Sequence, residues 1–161
     1  MWLGDCGPAE LEVAAATGLA APSDLVAWAV ARLSVDDPEL QAPEPIEIAG
    51  LVASEHPEAP ALLGRWTERT ATTIDPRSDE AERIARRLFA RLCRDYLGGQ
   101  ATPAVLCTAV RTLDHTYDAP PWVTGLWHAC DWVDETASAA DLPHLAPGVE
   151  RALERLGAGH P

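Results

Sequence analysis

The chain has 161 residues, a hydrophobic fraction of 47% and a formal net charge of −13. That length is most simply one domain able to bury a core, and the apolar content excludes a disordered chain. The acid excess excludes a general affinity for phosphate backbones and favours a basic partner.

The charge is unevenly spread. Residues 1–60 carry eleven acids and one base, Arg32; residues 61–111 carry nine arginines against six acids; residues 112–161 carry eight acids against Arg151 and Arg155. The three stretches stand at −10, +3 and −6. Lysine is absent, which with the abundant Ala and Pro reads as a GC-rich bacterial genome. The start, Met1-Trp2-Leu3-Gly4-Asp5-Cys6, has no basic region and no long apolar run, so it does not read as a secretory signal. The uncharged runs fall far short of the ~20 apolar residues that span a bilayer. A soluble, cytoplasmic protein is expected. Cys6, Cys93, Cys107 and Cys130 form no CxxC pair, which argues against a zinc knuckle or a disulfide scaffold.

In chain order, the first predicted helix runs from Glu10 to Thr17 and is closed by Gly18. The second follows Pro22, with Ser23 as N-cap, Asp24 in the first turn and a stripe of Leu25, Trp28, Ala29 and Leu33. Residues 36–60 hold five prolines and seven acids and read as a loop-rich segment with one short helix near Ile46 to Ser54. Ala61 to Thr70 is the next helix, with Leu62, Leu63 and Trp66 on one side. Ser78 then caps a helix from Asp79 to Leu97, and Gly98-Gly99 stops it. Five arginines (83, 86, 87, 91 and 94) lie off its apolar stripe, and their expected use is pairing with the chain's own acids.

Thr102-Pro103 opens another helix by a cap-then-proline arrangement. After the turn Tyr117–Pro121, a helix from Pro121 to Val133 places Trp122, Leu126, Cys130 and Val133 together. A turn at Asp141–Leu145 precedes a last helix, Gly148 to Leu156. The only strand candidates are Pro45–Ile48 and Thr70–Ile74. The predicted fold is all-α: a single domain over residues 1–161, an irregular array of six to seven helices.

Two polar clusters could carry chemistry. One is Asp114-His115-x-x-Asp118; the other is His128-x-x-Asp131-x-x-Asp134-Glu135. On an antiparallel helix pair the two clusters fall about 15 Å apart at ~1.5 Å per residue, which argues against one shared metal site. The plain alternative is that these residues are helix-end caps and ion-pair partners for the arginines. A Cys130–His128 nucleophilic pair is disfavoured, because residues two apart on a helix do not face each other. Trp122 is assigned to the core, and Trp132 to a half-exposed position.

Several stretches carry a resemblance. They are Ile74-Asp75-Pro76; Glu82-x-x-Ala85-Arg86-x-Leu88; Gly98-Gly99-Gln100-x-Thr102-Pro103; and Leu126-x-His128-Ala129-Cys130-Asp131-Trp132. Leu25-Val26-Ala27-Trp28-Ala29, Asp36-Asp37-Pro38 and Ile48-Ala49-Gly50-Leu51 add to it. Together, over residues 25–135, they resemble small helical proteins of actinobacteria that are similar in outline to immunity proteins of polymorphic toxin systems. The resemblance implies a non-enzymatic cytosolic protein that neutralises a toxin by occlusion, so it supplies no catalytic residue.

The leading expectation is an acidic protein-binding protein, immunity-like, that inhibits a basic toxin or enzyme. It needs no metal or cofactor and involves neither nucleic acid nor membrane. Its expected contact residues are Asp36, Asp37, Glu39, Glu44, Glu47, Glu55 and Glu58. The first alternative is a metal- or small-ligand-binding enzyme with a pocket between the 103–115 and 121–133 helices, lined by Asp114, His115, His128, Asp131 and Trp132. The second is a subunit that self-associates through an exposed apolar helix face.

Overall fold

The structure is a computed structural model, and it describes residues 3–33, 42–130 and 142–158. Its α-helices are α1 (Pro8–Ala16), α2 (Pro22–Leu33), α3 (Pro43–Gly50), α4 (Ala59–Arg69), α5 (Asp79–Leu97), α6 (Pro103–Thr116), α7 (Pro121–Cys130) and α8 (Leu145–Ala158). A 3-10 turn, His56–Glu58, leads into α4. The chain is all-helical among the described residues, with eight α-helices where six or seven are expected. The helix α3 is the short helix expected near Ile46 to Ser54, and it starts earlier, at Pro43. It is only eight residues long and starts with two prolines, Pro43 and Pro45. Both stand in the first turn, where the amide hydrogens have no intrahelical acceptor and their loss costs nothing. Packing of Ile48 against its neighbours supplies what so short a segment lacks alone.

Proline also moves other starts. Pro8 and Pro22 stand at the head of α1 and α2, ahead of the expected Glu10 and Ser23. At α2 the cap is not Ser23; the Asp24 carboxylate accepts the Ala21 N–H at 2.9 Å. The final helix begins at Leu145, three residues before the expected Gly148, with Pro147 in its first turn. Neither strand candidate forms: Pro45–Ile48 belongs to α3, and the 70–74 stretch is a turn with Ala71 in the left-handed region at φ 53°.

The longest helix organises the rest. Ser78 Oγ accepts the Ala81 N–H at 3.1 Å, and Asp79, Glu80 and Glu82 complement the positive end of α5. Its buried stripe is Ala81, Ile84, Ala85, Leu88, Phe89, Leu92, Cys93 and Tyr96. Full burial of Leu88, Phe89 or Leu92 contributes on the order of 1.5–3 kcal/mol each. The helix packs against α1 on one side and against α6 and α8 on the other. It thereby joins two groups, α1 to α4 and α5 to α8, whose buried side chains form one cluster.

In the first group Trp28 of α2 meets Trp66 of α4 with ring centroids 5.8 Å apart. In the second, α7 packs between α6 and α8. Polar ties cross between the groups. Glu10 of α1 accepts the Gly7 N–H at the helix start and pairs with Arg87 of α5. Glu12 accepts the Ile74 N–H at 3.2 Å. Arg87 therefore does what the sequence suggests for that helix face, pairing with an acid of the opening third. No described helix is long and apolar enough to cross a membrane.

Candidate functional site

The expected contact carboxylates fall into three kinds. Asp36, Asp37 and Glu39 lie outside the described residues. Glu44 and Glu47 are engaged with α4. Arg69 grips Glu44 through Nε–Oε1 at 3.0 Å and Nη2–Oε2 at 2.7 Å, and the Glu44 side chain is only 12% exposed. Those hydrogen bonds hold the Glu44 carboxyl below the usual carboxylate range. Glu47 pairs with Arg65 at 3.3 Å, with both side chains more than half exposed. Glu55 and Glu58 are exposed at the segment between α3 and α4, and Glu55 also caps that segment by accepting the Val52 N–H at 3.1 Å.

Glu44 is therefore a structural residue that ties α3 to α4, not an open contact carboxylate. Glu47 is different. Its bridge is solvent-screened and contributes little, so the carboxylate remains able to exchange partners. The same part of the chain carries exposed apolar side chains, among them Leu33, which was expected in the α2 stripe with Leu25, Trp28 and Ala29. Leu33 closes α2 at 41% exposure, Ile46 adjoins Glu47 on α3 at 50%, and Val52 follows α3 at 58%. The helix α2 that carries Leu33 packs directly on α3, which carries Ile46. The pattern of α3 contains the signal: Ile48 faces the core, and Ile46, two residues away, must then face out.

The alternative pocket is not assembled in this way. His115 and His128 are exposed, and Asp114 is half-buried with Oδ1 enclosed and unbonded among the described residues. Asp118 sits in the turn after α6 with φ 53° and is exposed. Asp131 and Trp132 lie outside the described residues. His128 lies edge-on to Trp127, with centroids 5.4 Å apart. No three His, Cys, Asp or Glu side chains among the described residues converge on a metal position. The cleft at α7 opens toward α8 instead, and of the described candidates neither Asp114, His115 nor His128 lines it.

The four cysteines are free and buried. Burial pushes the Cys6 thiol up to about 11 and the Cys93 thiol up to about 12. Cys130 is hydrogen-bonded to Cys107 from α6 and is held far above the ordinary thiol range by that bond and by burial. These three thiols stay protonated near neutral pH and make poor nucleophiles, while the bond from Cys130 moves the Cys107 thiol the other way, below the ordinary thiol range, at a buried position. Cys130 is buried while His128 is exposed, as their spacing requires.

No protein-family model, curated protein or solved structure was found to match this chain.

Proposed function

We propose that this chain is a protein-binding protein of the cytoplasm, immunity-like in its mode of action, whose opening third docks on a basic partner such as a toxin and occludes it. One observation carries the proposal. Leu33, Ile46 and Val52 are exposed, and so are Glu47, Glu55 and Glu58, all on α2, α3 and the segment leading to α4, within a stretch that bears eleven acids and one base. Apolar side chains accompanied by charge of one sign suit a partner whose apolar contact is accompanied by the other sign. The apolar groups would supply residence time and the carboxylates association rate.

The test uses the product of an adjacent gene where that product is basic. Binding is measured for the native chain and for the triple variant Glu47→Lys/Glu55→Lys/Glu58→Lys. The proposal expects a complex whose association slows at least about tenfold in the variant. Association unaffected by three charge reversals would overturn it.

A further inference from the structure

Not all the arginines of this acidic chain answer its own carboxylates. Arg65, Arg69 and Arg87 do, through Glu47, Glu44 and Glu10. Arg86, Arg151 and Arg155 form no ion pair among the described residues, and all three gather around Trp122.

The indole of Trp122 is firmly placed. Its N–H donates to Glu82 Oε1 at 3.1 Å. Phe89 and Tyr117 flank the ring at 5.8 and 6.1 Å, and the Arg86 guanidinium sits 6.0 Å over it. From α8 come Arg151 and Arg155, four residues apart and so on one helix face. With Trp122, Gly125, Gly148 and Ala152 they line a narrow cleft that opens to solvent.

Two glycines give the cleft its shape. A Cβ on Gly148 would stand 2.9 Å from Leu126 Cδ2, so α8 lies close against α7 there. A Cβ on Gly125 would stand 2.6 Å from Arg155 Nη1. The Arg155 guanidinium therefore lies over bare backbone, where it donates to the Pro121 carbonyl at 3.4 Å. This arginine is oriented before any ligand arrives.

The choice of ligand follows from charge and size. Guanidinium forks match the oxygens of carboxylates and phosphates. A long polyanion would extend past the cleft into the field of a −13 chain, whereas a compact anion in the cleft meets chiefly Arg151 and Arg155, the Glu82 carboxylate being engaged by the Trp122 indole N–H. We infer that the cleft between α7 and α8 binds a small molecule through a compact oxyanion, a phosphate or a carboxylate, held by Arg151 and Arg155 with Arg86 and Trp122 behind them. This site is separate from the acidic docking surface and goes beyond the binder reading.

The probes are inorganic phosphate and succinate, titrated into the full chain by calorimetry at constant ionic strength balanced with chloride. Saturable binding of phosphate alone assigns a phosphate group, and of succinate alone a carboxylate. Binding of both supports a general oxyanion site. In each case Arg151→Ala/Arg155→Ala weakens binding at least about tenfold, and Arg77→Ala, at an exposed loop position, leaves it unchanged. Gly125→Ala separates binding from folding. Alanine is the better helix former, and the displaced Arg155 end is flexible, so this variant keeps its stability while it binds less tightly. Failure of both anions to saturate, or saturation that survives the double variant, reduces the cleft to an adventitious ion only and overturns the inference.

Discussion

Arg69 holds Glu44 by two hydrogen bonds, and the carboxylate lies almost wholly against α4. One acid of the opening third is thus committed to the fold while its neighbour Glu47 remains exposed. Charge count alone does not separate these two roles.

The pairing has a pH signature. The folded Glu44 carboxyl titrates below its unfolded value, which is about 4.3 for a glutamate. Its stabilising contribution is therefore complete above that unfolded value and is lost as pH falls through the folded one. Glu44→Gln is expected to lower the urea midpoint at pH 7 and to approach the native chain near pH 3. A difference between the two chains that does not change with pH would contradict the assignment.

Gly18 has two reasons to be glycine. Its φ is +64°, and a Cβ there would stand 2.7 Å from Thr112 Oγ1 on α6. Gly18→Ala is expected to destabilise by about 2 kcal/mol or more in urea unfolding, from left-handed strain plus overpacking. The opposite change is informative at Ala119, which is exposed with φ 55°. Ala119→Gly is expected to be neutral or stabilising by up to about 1 kcal/mol.

The buried thiols predict a labelling experiment. At pH 8 iodoacetamide should modify the native chain at least about a hundredfold more slowly than the urea-unfolded chain, since all four thiols are shielded by burial and the Cys6, Cys93 and Cys130 thiolates are suppressed as well. Mass spectrometry would then show four modifications appearing together on unfolding. Rapid modification of one cysteine in the native chain would show that its burial is incomplete.

Much of the helical order was legible because helices carry their own punctuation. Ser78 and Gly98 bound α5 as expected, and Thr102-Pro103 opens α6. Starts were misplaced where proline itself begins the helix, at Pro8, Pro22 and Pro43, since the same residue reads as a break. The burial of Trp122 was also legible from its stripe.

Long-range partners were not legible. Nothing local to Glu44 reveals that Arg69, twenty-five residues on, turns it inward. Likewise Arg155 over Gly125 depends on how α8 crosses α7, a tertiary fact that periodicity does not encode. The sequence trace that does exist is the mid-helix Gly125, costly in a helix unless close approach requires it.

The most direct test of the docking proposal is the association rate with a basic candidate partner, measured by stopped flow as a function of ionic strength. Between about 20 mM and 500 mM salt the rate should fall by at least an order of magnitude for the native chain, and much less for Glu47→Lys/Glu55→Lys/Glu58→Lys. A rate that is flat with salt, or equally steep in both chains, would show that these carboxylates do not guide the encounter.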